Sequence, residues 1–188
     1  MTLAAIDRRS EILAHSRALL RTRGFNAFSH RDLAALAGVK SSSVHYHFPS
    51  KEDLGLAVIE QYRTEVLEFL QSLEALAPES RLDRFFSVFA DSASLGDQWC
   101  VAGMLASDFG TVGEPLQLGV RRFFSDVEAW LAVQARLLRP ALKPAAAARL
   151  GKNAMALLEG ALLLARSQGE PRRVEYAAAA IRELFGVD

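Results

Sequence analysis

The chain has 188 residues, 51% of them hydrophobic and 23% charged, which excludes disorder as the main state and supplies one sizeable core or two small ones. A single cysteine, Cys100, excludes an intramolecular disulfide and a Cys-rich zinc site, and no run reaches the ~20 apolar residues of a membrane helix. The formal charge is zero, yet residues 1–55 hold eight Lys/Arg against five Asp/Glu together with all four histidines, while the remainder is acidic. With no signal sequence before Asp7, the expectation is a soluble protein of the reducing cytoplasm without a membrane partner.

Nearly every segment reads as helix. Ser10 to Arg23 carries apolar residues at 12, 13, 19 and 20 and stops at Gly24. Phe25 and Phe28 anchor a short connector. Ser29 is placed to cap a second helix over 31–37, with Asp32 in the acidic slot of a capping box. A third short helix covers about 41–48 and halts at Pro49. Ser50, with Asp53 three residues on, caps a fourth that runs to about Leu76. Further helices are predicted at about 81–94, 101–109, 114–138, 144–168 and 172–185, separated by breaks such as Gly96-Asp97, Pro140 and Gly169 to Pro171. No strand-like alternation and no repeat is present. The expected fold is all-α, with about nine helices.

The second and third helices meet through Ala37-Gly38-Val39. Gly38 supplies the positive φ of a sharp turn, and Leu33, Leu36 and Val44 are spaced to bury between the helices. That leaves Lys40, Ser41, Ser42, Ser43, His45, Tyr46 and His47 without core duty. So polar a short helix would not fold alone, and its hydroxyls, phenol and imidazoles suit phosphate oxygens and base edges. A metal at His45 and His47 is not expected, because side chains two apart on a helix do not face each other. His15 and His30 read as solvated or satisfied surface residues, His30 at most brushing a phosphate. Ser43 and His47 could mimic a nucleophile and base, but no third group stands at useful spacing.

The run Gly24-Phe25, Phe28-Ser29-His30-Arg31-Asp32-Leu33-Ala34, Ala37-Gly38-Val39-Lys40-Ser41-Ser42-Ser43-Val44-His45-Tyr46-His47-Phe48-Pro49-Ser50-Lys51-Glu52-Asp53-Leu54 resembles the amino-terminal domain of the TetR family of bacterial transcriptional regulators. The resemblance covers about residues 7–60. It implies a DNA-binding domain over 1–50, with the helix-turn-helix motif at about 29–48, and a ligand-binding and dimerisation domain over 51–188. Carried over position by position, Ser29, Ser43, His45, His47 and Lys51 fall where the family touches DNA backbone, and Ser41, Ser42 and Tyr46 where it reads bases. In that setting Arg31 and Lys40 join them as phosphate contacts. Two positions depart from the family: Lys40 stands where a capping Ser is usual, so that Ser41 is expected to cap, and His45 stands where Tyr is usual.

The body helices carry wide apolar stripes, one through Leu82, Phe85, Phe86 and Phe89 and another through Val120, Phe123, Val127 and Leu131. The helix over 144–168 is apolar on more than one face, with Ala156, Gly160 and Leu164 on a second side. The last helix carries Val174, Ala177, Ala178, Ile181 and Phe185. Together these residues predict a homodimer closed by a four-helix bundle, as the family builds it; the alternative is that both helices simply complete the core of one chain. Aromatic and isolated polar side chains predict an effector site from Phe85, Phe89, Trp99, Cys100, Met104, Asp108, Phe109, Phe123, Val127, Trp130, Met155 and Glu159. The plain alternative for each aromatic is ordinary core, and for Asp108 and Glu159 a salt bridge, for instance with Arg122 or Arg166. Trp99 to Asp108 also looks like the patch opening the sixth helix in a TetR subgroup that senses electrophiles and unsaturated carbonyl compounds. A cysteine near a helix start can be activated as thiolate, whereas a lone Cys between Trp and Val is otherwise an inert core residue.

The expectation is a ligand-responsive repressor, without cofactor or catalysis, that binds a palindromic double-stranded operator as a homodimer and is released by a small-molecule effector. The alternatives are a ligand-blind or activating DNA binder and, from another class, an all-α small-molecule enzyme. The enzyme would need a converging acid–base or metal set that the sequence does not assemble.

Overall fold

The computed structural model describes residues 3–96 and 99–187, with side chains from residue 8. Its helices are α1 (Leu3–Arg23), α2 (His30–Leu36), α3 (Ser41–His47), α4 (Lys51–Ser72), α5 (Pro78–Leu95), α6 (Val101–Ser107), α7 (Glu114–Leu138), α8 (Pro144–Gln168) and α9 (Arg173–Phe185). Among the described residues there is no strand. The all-α expectation holds, and the breaks fall where Gly and Pro predicted them. Several boundaries differ. α1 starts at Leu3 rather than Ser10, and α4 gives way after Ser72 to a 3-10 turn at Leu73–Ala75. α5 starts at Pro78 rather than near 81, since proline has a helical φ and a first-turn residue needs no N–H. α6 ends at Ser107 and passes into a tighter 3-10 turn at Phe109–Thr111. Asp97, named above in the break after the fifth helix, lies outside the described residues.

The chain forms two compact units: residues 1–63 with 100–121, and residues 64–99 with 122–188. In the first unit the head residues find partners far along the chain. Phe25 and Leu116 press on α4 at Gly55, where a Cβ would come within 2.7 and 2.8 Å of them. Glu52 Oε1 accepts from the Gly113 N–H at 2.7 Å. Ile12, Leu20, Phe28, Leu33, Val44, Phe48, Leu54, Ile59, Leu105 and Leu116 are buried in this first unit. Val44, fully buried, holds α3 in place, at ~1.5–3 kcal/mol for such a side chain. Gly38 sits at φ +63, the left-handed turn its position required. Leu36, in contrast, is 52% exposed instead of buried between α2 and α3; it is the last residue of α2.

The second unit packs α5, α8, α9 and most of α7. Gly151 of α8 lies against the Glu128 carbonyl of α7, and a Cβ there would overlap that oxygen. α9 turns Val174, Ala177, Ile181 and Phe185 into this unit's own core, where all four are buried. These residues were expected to meet a partner subunit, and they are spent on the chain itself instead. α9 is tied down further by an Arg182–Asp83 ion pair and by Arg139 Nη1 donating to the Leu184 carbonyl at 2.9 Å. Ala156 and Leu164 of α8 are exposed, Gly160 has open space beside it, and Ala178 is half-buried.

Candidate nucleic-acid interface and effector site

The head is built from two caps and a pinned helix. At α2, Ser29 Oγ donates to Asp32 Oδ2 at 2.7 Å, the Ser29 N–H donates to the same oxygen at 2.8 Å, and Asp32 N–H returns to Ser29 Oγ at 3.2 Å. At α4, Ser50 and Asp53 repeat the arrangement, with Ser50 Oγ donating to Asp53 Oδ2 at 2.7 Å. These hydrogen bonds hold both carboxyls below the usual aspartate range. The Ser29 hydroxyl proton is therefore already given to Asp32, which leaves none for the phosphate contact expected of it. α3 begins at Ser41 with Lys40 as its uncapped flank, so Ser41 does not cap the helix. Ser41, Ser42, His45 and Tyr46 are exposed, Tyr46 at 79%, while Ser43 and His47 are half-buried. Arg31 and Lys40 are also exposed. One short helix thus offers a phenol, hydroxyls and imidazoles to solvent from a rigid seat.

Lys51 is placed otherwise than a freely solvated phosphate contact. Its ammonium lies 4.7 Å from the centre of the Phe25 ring and 4.9 Å from that of Phe28. Burial holds its pKa below the usual lysine range, with Asp108 and Asp32 opposing the shift. His30, read from sequence as solvated, is buried against His45. Both carboxylate oxygens of Asp108, an expected effector contact, are engaged within the first unit. Its Oδ2 accepts from the Phe25 N–H at 2.8 Å and its Oδ1 from Asn26 Nδ2 at 2.9 Å, and Asn26 also donates to Thr111 Oγ1 at 2.8 Å. The end of α6 is thereby tied to the turn after α1.

The other effector candidates divide between the two units. In the first, Cys100 is buried at the start of α6; its Sγ accepts from the Gly103 N–H at 3.5 Å and from the Tyr62 hydroxyl at 3.9 Å. Met104 and Phe109 are half-buried, with the Arg121 guanidinium 5.1 Å from the Phe109 ring centre. In the second, Phe85 packs on Phe89 and Trp130 with centroids 5.3 and 5.2 Å apart. The Trp130 Nε1 is buried there without a hydrogen-bond partner. Phe123, Val127 and Met155 are core residues, Glu159 is half-buried, and Arg166 stacks over Trp99 at 5.3 Å. Among the described residues no three His, Cys, Asp or Glu side chains group as a metal site, and no helix is long and apolar enough to cross a membrane.

Residues 12–58 match the family model described as bacterial regulatory proteins, tetR family, and residues 78–180 match that of the LmrA/YxaF-like transcriptional regulator C-terminal domain. The chain belongs to the TetR family of bacterial transcriptional regulators. A TetR regulator from Legionella pneumophila is 32% identical with a TM-score of 0.86, covering 93% of this chain and 95% of that one. A TetR-family regulator from Agrobacterium tumefaciens is 28% identical with a TM-score of 0.88, covering 96% and 98%. The transcriptional repressor DhaR of Mycobacterium sp. (strain GP1) is 26% identical over 112 residues, 58% of this chain but only 54% of that protein, so the match spans about half of DhaR. As a TetR-family member the chain is a DNA-binding regulator and not an enzyme.

Within that regulator, the residues that sequence reading missed are the ones joining distant segments. Asn26 and Thr111 complete the Asp108 tie, Glu52 reaches Gly113, and Tyr62 reaches Cys100. Their partners lie 38 to 85 positions away in sequence, so no local spacing announces them.

Proposed function

We propose that this TetR-family regulator is a repressor that binds a palindromic operator as a homodimer and lets go when a small-molecule effector occupies its body. The observation that carries the reading is α3, a rigidly seated helix whose outward side chains are polar and exposed. Base-edge contacts fall to Ser41, Ser42 and Tyr46, and phosphate contacts to Ser43, His45, His47, Arg31, Lys40 and Lys51. One such helix reads too few base pairs for useful specificity, and two in adjacent major grooves stand about 34 Å apart. The Asp108 tie supports effector control. A shift of α6 is passed through two hydrogen bonds to the turn that carries α2 and α3.

The effector class rests on Cys100, whose sulfur caps α6. An electrophile such as an unsaturated carbonyl compound would bond to that sulfur and add volume at the start of α6, where close packing resists insertion. Selection of DNA from a random pool, repeated with and without candidate effectors, tests the function as a whole. A palindromic winner released by effector is expected; no enriched sequence would overturn the reading. For the effector class, Cys100→Ser should bind DNA normally and ignore electrophiles. Intact-mass measurement finding no adduct on Cys100 would leave a reversible ligand instead.

A further inference from the structure

His30 opens α2, and its ring is buried, Nε2 included. Its Nδ1 lies 3.3 Å from the Nδ1 of His45 on α3, and the two rings meet edge to face with centroids 4.5 Å apart. His45 Nδ1 has a second neighbour, the Pro49 carbonyl oxygen at 3.5 Å. His45 is otherwise exposed.

Two facing ring nitrogens share one proton, and a carbonyl can only accept. With that proton on His30, the bare Nδ1 of His45 would face the Pro49 oxygen, acceptor against acceptor. With it on His45, both neighbours accept. We propose that His30 is a positioning residue: together with the Pro49 carbonyl it holds a proton on His45 Nδ1, so that His45 gives its Nε2–H to a DNA phosphate only as an imidazolium. The inference rests on the reading of α3 as the DNA-contacting helix.

A neutral His45 protonated on Nδ1 turns a lone pair outward, and a phosphate oxygen has nothing to accept from it. The imidazolium donates from both nitrogens, to His30 and Pro49 inside and to phosphate outside, as a charge-assisted bond. His30 must stay neutral for its Nδ1 to accept. Burial first, then the charges of His45 and Lys51, hold its pKa below the ordinary 6.5, while the Ser50 backbone favours a proton on the ring. Lys51 is the α4 cation on this side, with Asp32 and Asp108 facing it in turn; on α3 itself, His47 stacks edge to face on Tyr46.

The test measures affinity of the full chain for a duplex it selects from a random pool, from about pH 8 to about pH 6 at fixed ionic strength. Uptake of one proton per head raises the association constant by up to about tenfold per pH unit for each head. His45→Gln should remove that share of the slope. His30→Leu deletes the nearer acceptor and leaves only the Pro49 carbonyl at 3.5 Å, so a share of neutral His45 carries its proton on Nε2 and binding at high pH should rise toward the low-pH level. His30→Asn, which puts an amide oxygen near the Nδ1 position, should restore the dependence. In the unbound wild type, side-chain nitrogen chemical shifts should find neutral His45 protonated on Nδ1. Protonation on Nε2 overturns the inference whatever the DNA results. Unchanged affinity and slope in His45→Gln overturns instead the assignment of His45 as a phosphate contact, because the tautomer measurement needs no DNA.

Discussion

Ser29 and Asp32 exchange three hydrogen bonds inside one turn, and that reciprocity fixes both the start of α2 and the sign of a pH effect. Ser29→Ala should cost ~0.5–2 kcal/mol of stability, read from denaturant or thermal melts. Asp32 has its folded pKa lowered below the ordinary 3.8, so its contribution is complete above that value and is lost as pH falls through the lower folded value. The gap between wild type and Ser29→Ala should therefore be full near neutrality and shrink in strong acid; a gap that widened there would refute the cap. His30 obeys the same sign for a different reason. Its pKa is lowered chiefly by burial, so the head should lose stability as pH falls below 6.5, and an uncharged replacement that still fits should lose less. Lys51 separates packing from contact. Lys51→Met keeps the stem over Phe25 and Phe28 and should stay folded. It should weaken all DNA sequences alike and flatten the salt dependence by ~1 unit. A change in which sequence is preferred would argue against a phosphate role.

At the scale of elements, the tie between α6 and the turn after α1 makes a separable prediction. Asp108→Ala should leave DNA binding near wild type and uncouple it from effector, read as operator release that no longer follows effector occupancy. Retained release would show that coupling travels elsewhere. Gly151 marks where α8 presses on the α7 backbone, and Gly151→Ala must push the Glu128 carbonyl aside. Backbone yields poorly, so ~1–3 kcal/mol of overpacking is expected in thermal melts. Helices of this chain were legible because their signals are local: Ser29 and Ser50 with their aspartates, Gly38 between α2 and α3, Pro140 after α7. What failed was whatever depended on the far end of the chain. Leu36 fits the buried stripe of α2 by spacing, yet it is exposed at the end of that helix. Asp108 reads as a buried carboxylate seeking a ligand or an arginine, and its actual donors, Phe25 and Asn26, precede it by more than eighty positions. The outward residues of α3 were readable by elimination, since a seven-residue helix with one buried anchor has few inward places to fill.

At the scale of the whole molecule, the two sides of α8 and α9 have to be assigned to different jobs. Periodicity showed α8 as apolar on more than one face and an apolar strip on α9, without saying which face the chain keeps for itself. Val174, Ala177, Ile181 and Phe185 are kept, whereas Leu163 is 66% exposed, Leu164 42% and Tyr176 56%. Ala156, Gly160, Leu163 and Leu164 recur at helical spacing along one side of α8, with open space beside Gly160. A second copy of the chain would lay its own α8 and α9 there, closing an isologous bundle. The two faces predict opposite failures. Phe185→Ala empties a buried site and should cost ~3–5 kcal/mol of folding stability. Leu163→Glu changes an exposed side chain, so the single chain should keep its helical signal and its melting should fall only through lost association. Buried between two copies, the same glutamate would be an unpaired charge, with a cost of several kcal/mol to the dimer. Light scattering should then find a monomer, and operator binding should collapse although each head is intact, since two half-sites are no longer held by one molecule. A Leu163→Glu protein that remained dimeric and bound its operator at wild-type strength would move the interface off this face of α8.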